Sequence, residues 1–100
     1  MLTHVVLFKF KPETTLEEAT RLEAGLRGLP AIIGEIREFR VGRDVVRSER
    51  SYDLALVSAF DDLAAMQRYQ VHSAHQEVVA LVKEFCAAVV AVDFDAQPQR

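Results

Sequence analysis

Two stretches near opposite ends of this chain are apolar on both faces at strand spacing. "THVVLFKFK" (Thr3 to Lys11) is β-branched and aromatic, and Pro12, which cannot donate to a ladder, stops it. His4, Val6, Phe8 and Phe10 share one side, with Val5, Leu7, Lys9 and Lys11 on the other. The last strand, "AAVVAVDFDA", opens with no polar side at all. A strand with one wet face alternates apolar with polar residues, whereas one buried on both faces need not. Each of these strands therefore needs two covers.

The segments between them supply one. "TTLEEATRLEAGLRGLP" switches to helical spacing, with Leu16, Ala19, Leu22 and Leu26 on a single stripe. Thr14 or Thr15 can cap it, Thr15 with Glu18 in a capping box, and Gly28 and Pro30 end it. "AIIGEI" reads as a short turn packing Ile32 and Ile33 inward. "EIREFRVGRDV" alternates as a strand, with Arg37, Phe39 and Val41 opposite Ile36, Glu38 and Arg40. A third strand, Tyr52 to Phe60, puts Tyr52, Leu54, Leu56, Ser58 and Phe60 on one face. Asp61 or Asp62 then caps the helix "LAAMQRYQ", and "AHQEVVALVKEF" makes another helix.

The order β-α-β-β-α-β defines an α+β, ferredoxin-like plait: an antiparallel sheet with helices on one face. Helices on one face leave the other bare. The second cover expected is a second copy of the chain, two sheets closing as a homodimeric barrel.

One hundred residues suit one domain, assigned to 1–96, with 97–100 as a polar tail. A net charge of −3 and scattered Lys and Arg give no basic stripe, so no nucleic-acid partner is expected; "RSERS" reads as a solvated turn. Cys86, the single cysteine, leaves no internal disulfide and reads as a buried, inert thiol in a reducing compartment. The opening residues reach Lys9 too soon for a signal peptide or a membrane span. The expectation is a cytoplasmic protein with no membrane partner.

"RYQVHSAHQEVV" (Arg68 to Val79) carries Tyr69, His72 and His75, which would line one face of an unbroken helix. Ser73 with Gln76 three places on forms a capping box, so the helix is expected to break there, with Ser73 as N-cap. Two histidines without a third ligand at suitable spacing make a weak metal site, and none is assigned. In the first turn of the new helix, His75 is opposed in protonation by the helix dipole and is a candidate general base. Tyr69 could then bond a developing enolate oxygen. The alternative for His75 is a hydrogen bond to backbone at a crowded corner. His4, on the helix-facing side of a central strand, could lie near both and complete the polar end of an apolar pocket. Its alternative is a partly exposed strand-end histidine. The four glycines match no nucleotide-binding fingerprint.

"HVVLFKFK", "GRDV", "YDLALVSAF" and "YQVHSAHQEVV" together resemble the stress-responsive dimeric α/β-barrel (Dabb) family, over nearly the whole chain from His4 to about Phe94. The resemblance implies a homodimer of ferredoxin-like subunits. One plant member is a polyketide cyclase working without a cofactor by aldol condensation. Likeness to it implies that His75 is the base, that Tyr69 assists it, and that His4 joins them. His72 is implied to be more structural, though at the site. By position, Val6, Phe8, Leu22, Leu26, Phe39, Leu56 and Val78 would line the pocket. Ser73 stands where the motif has proline, and Leu22, Glu23 and Leu26 replace bulky aromatic positions, implying a reshaped pocket. The function implied is a small-molecule pocket protein, cyclase- or lyase-like on a β-keto or aromatic compound, with a non-catalytic binding dimer as the alternative.

Overall fold

The computed structural model describes residues 1–95, so the tail expected at 97–100 lies outside the described residues. The elements run β1 (Leu2–Phe10), α1 (Leu16–Arg27), a 3-10 turn (Leu29–Ala31), β2 (Ile36–Arg43), β3 (Leu54–Phe60), α2 (Leu63–Val71), α3 (Ser73–Phe85) and β4 (Cys86–Asp95). The sheet order is β2-β3-β1-β4 and every pairing is antiparallel. This is the ferredoxin-like α+β plait, with β1 central.

Local chemistry sets the element ends. Glu18 N donates to Thr15 Oγ1 at 3.1 Å and Thr15 N donates to Glu18 Oε1 at 2.9 Å, a complete capping box. Asp62 caps α2, accepting from Ala65 N at 2.9 Å. Leu16, expected on the buried stripe, is the first residue of α1 and is 73% exposed. In the connector Leu29 and Ile33 go inward while Ile32 is exposed, since the tight turn sends only one of two neighbouring isoleucines to the core. β3 begins at Leu54 because Asp53 turns to accept from Phe10 N at 2.7 Å.

β2 departs from simple alternation. Its register against β3 shifts between Ile36 and Glu38. The extra residue of a bulge flips the side on which later residues fall. Ile36, Phe39 and Val41 consequently all pack on the core, and Arg37 is exposed and bonds Asp61 at 3.0 Å.

The helices cover the face bearing His4, Val6, Phe8, Leu54, Leu56, Ser58 and Phe60, all buried. Leu22, Leu26, Leu29, Ile33, Met66, Tyr69, Val78 and Phe85 meet them from the other layer. Cys86 is buried, and that burial pushes its thiol up to about 11, which keeps it protonated and unreactive at neutral pH.

Among the described residues nothing covers the opposite face. Across the β1–β4 ladder Thr3 pairs with Phe94, Val5 with Val92 and Leu7 with Val90. Leu7 is 37% exposed, and Val90, Val92 and Phe94 are 45–60% exposed. Among the described residues, no helix is long and apolar enough to cross a membrane.

Candidate functional site

The helix break at residue 72 assembles the site. His72 is extended (φ −64°, ψ 139°) and its Nδ1 accepts from Ala74 N at 3.0 Å, so His72, not Ser73, is the N-cap of α3. An imidazole can reach the second amide of the helix as a hydroxyl would. His72 is thereby spent on the cap and does not line the cavity. His75 becomes the third helical residue, and Gln76 reaches the Gln70 carbonyl oxygen at 2.6 Å instead of closing a capping box.

Ending α2 at Val71 leaves its last carbonyls without helical donors. His72 N donates to the Tyr69 oxygen, while the Gln70 oxygen takes Gln76 Nε2 and His75 Nδ1, the latter at 3.0 Å. A carbonyl only accepts, so Nδ1 of neutral His75 carries the proton and Nε2 holds the free lone pair. Burial leads in lowering the His75 pKa below 6.5, and the electrostatic influence of neighbouring His4 adds to it, together outweighing the Gln70 bond that favours protonation. The N-terminal end of α3 acts in the same direction.

Tyr69 links the three candidates. Its ring centroid lies 4.4 Å from that of His75, 6.4 Å from His4 and 4.8 Å from Phe60. Burial raises the phenol pKa well above its ordinary value, so Tyr69 is a neutral donor. Among the described residues nothing bonds its hydroxyl, yet no buried side-chain polar atom is left unpaired. The hydroxyl therefore opens onto the adjoining cavity.

His4, only 6% exposed, bonds Asp93 through Nδ1. Antiparallel pairing sets them directly opposite each other on β1 and β4. The carboxylate orients the ring and holds the proton on Nδ1, leaving Nε2 as an acceptor.

These groups form the polar end of a cavity of about 350 Å³. Of the pocket residues expected from sequence, His4, Tyr69, His75, Val6, Phe8, Leu26, Leu56 and Val78 line it. Leu22, Phe39 and His72 do not. Leu22 is fully buried in the core beneath, and Phe39 sits on β2, two strands away from β1. Glu23 is also turned away, held by Arg27 and Arg43 at 2.7 Å; the Arg27 bond leads in lowering its pKa. Among the described residues no three His, Cys, Asp or Glu side chains are grouped to hold a metal ion.

The family model of the stress-responsive A/B barrel domain (Dabb) matches residues 2–96. The chain belongs to this family. It is 37% identical over 94 residues to an uncharacterized protein of Streptomyces coelicolor, covering 91% of this chain and 96% of that protein. A dimeric ferredoxin-like protein of unknown function from Thermobifida fusca superposes with a TM-score of 0.87 at 28% identity, covering 95% of this chain and 90% of the other. The hydroxynitrile lyase of Passiflora edulis superposes with a TM-score of 0.88 over 99% of this chain and 95% of its own, at 16% identity, which shows a shared fold alone.

In this Dabb chain sequence reasoning missed Gln70, Val79, Val82, Lys83 and Val89 as cavity residues, and Asp93 as the partner of His4. Val79, Val82 and Lys83 follow His75 at helical spacing, so periodicity held a signal for them. Asp93 carried none, because its partnership with His4 depends on strand register.

Proposed function

We propose that this Dabb chain binds a small, largely apolar carbonyl compound in the cavity and acts on it without a cofactor, as a cyclase- or lyase-like catalyst. The observation that carries this reading is the Nδ1–H bond of His75 to Gln70, which leaves an unprotonated Nε2 on a ring packed against Tyr69. In the step we infer, His75 Nε2 takes a proton from carbon next to the ligand's carbonyl. The electron pair moves onto the carbonyl oxygen, to which the Tyr69 hydroxyl donates. The enolate carbon then attacks a second carbonyl of the same molecule, closing a carbon–carbon bond. The His75 imidazolium returns its proton to the new alkoxide. His4, held by Asp93 through Nδ1, offers Nε2 as a further hydrogen-bond acceptor at this end.

The working form in this reading is a homodimer. The bare face of Leu7, Val90, Val92 and Phe94 supports it, since exposed contiguous apolar strands mark an interaction surface. A second copy, presenting the same face, covers it by symmetry. The lone buried thiol supports a cytoplasmic location.

The test needs no knowledge of the natural substrate. Deuterium uptake at the acidic carbon of a long-chain 3-oxo ester is followed by NMR in deuterated buffer. Exchange faster than buffer alone, lowered about 100-fold or more by His75→Ala, is expected for a positioned base. Binding of the ester with exchange no faster than buffer would leave a non-catalytic ligand-binding dimer.

A further inference from the structure

The cavity has a second end that the proposed chemistry does not use. Val79, Val82 and Lys83 follow His75 along one face of α3. Lys83 comes eight residues after His75, about 12 Å along the helix axis. Beneath them β1 runs from His4 through Val6 to Phe8, about 13 Å, with Val89 paired to Phe8. The cavity is therefore a slot between α3 and the sheet. Tyr69, Gln70, His75 and His4 stand at one end, Val6, Leu26, Leu56 and Val78 in the middle, and Lys83 at the other.

Lys83 is exposed, and among the described residues it is the only Lys or Arg lining this cavity. Among the described residues no Asp or Glu lines the cavity with it, and its ammonium has no carboxylate within ion-pair distance. Arg27 and Arg43, by contrast, are engaged with Glu23, and Arg47 with Asp44 and Asp53. An unpaired ammonium at the mouth of an apolar slot favours one ligand shape. A chain lies against the aliphatic walls, and an acidic group emerges beside the nitrogen, where a charge-assisted bond is partly shielded from water.

We propose that Lys83 anchors an acidic group at the far end of the ligand, so that this protein selects medium-length carboxylic acids carrying their reactive carbonyl toward His75. The proposal rests on the reading of the cavity as a small-molecule site and adds the ligand's charge, its polarity and the direction in which it lies.

The experiment compares decanoate with 1-decanol, two ligands of equal chain length, by calorimetry below their aggregation limits. Both are titrated into the full chain and into Lys83→Met, with circular dichroism to verify that the variant is folded. The wild-type protein is expected to bind decanoate about tenfold more tightly than decanol. Lys83→Met removes that preference and leaves decanol affinity within about twofold, because only the charge-assisted bond is lost. Two results overturn the proposal while leaving the cavity reading intact: equal binding of acid and alcohol by the wild type, or an unchanged acid preference in Lys83→Met. Binding of neither ligand overturns the cavity reading itself and the proposal with it.

Discussion

The Tyr69 and His75 rings pack with centroids 4.4 Å apart and planes inclined by 54°, although the two residues belong to different helices. The break at His72 folds α3 back on α2 and turns a sequence neighbourhood into a corner. Tyr69 is 1% exposed and packs against Phe60 as well, so the tyrosine ring is part of the core and its hydroxyl is part of the cavity. The two roles separate experimentally.

Tyr69→Phe keeps the ring and deletes the hydroxyl. Since among the described residues none pairs with that hydroxyl, thermal stability is expected to stay within about 0.5 kcal/mol of wild type. Deuterium exchange into the 3-oxo ester is expected to slow by about 100-fold, the usual loss for one oxyanion donor. A large fall in melting temperature with unchanged exchange would reverse these assignments.

The depressed pKa of His75 has a definite sign in pH dependence. The folded state holds the imidazole neutral, whereas the unfolded chain protonates near 6.5. Its contribution to stability is therefore complete above pH 6.5 and is lost as pH falls through the lower folded value. Urea denaturation at pH 7.5 and at steps below 6.5 is expected to show this loss, and His75→Gln to flatten it. The acid limb of the exchange rate is expected below pH 6.5, in the window where an ordinary histidine would already be charged.

Asp93→Asn keeps the shape at His4 and removes the negative charge. Asp93 is about a third exposed, so water screens the pair, and the expected loss of stability is about 1 kcal/mol. The nitrogen resonances of His4 in NMR report the more specific effect. Nδ1 is expected to lose its fixed proton, and exchange catalysis to fall while ligand affinity holds. An unaltered imidazole spectrum would show that Asp93 does not orient His4.

The bare sheet face makes its own prediction. Val92→Lys sets a charge among Val5, Leu7 and Val90 on a surface where the folded subunit needs no burial. Light scattering is expected to give two chain masses for wild type and one for the variant, with the circular dichroism of the fold retained. A single chain mass for wild type would remove the dimer.

The sequence by itself determined the order and ends of most elements. Thr15 with Glu18, Asp62 with Ala65, and the stop at Pro12 all act within a few residues, so their effect is written locally. The placement of His4, Val6 and Phe8 on the buried side of β1 follows from strand alternation in the same way. Even the break near residue 72 was visible, although the choice between His72 and Ser73 as cap depended on side-chain reach in three dimensions. Tertiary structure alone decided the face of Ile36, because a bulge in the pairing of β2 with β3 moved it across the sheet. It alone joined His4 to Asp93, which are 89 positions apart, and ran the cavity toward Lys83 and Val89 and away from Leu22 and Phe39. Periodicity and capping are properties of one segment; register and cavity shape belong to pairs of segments whose relative offset no single segment encodes.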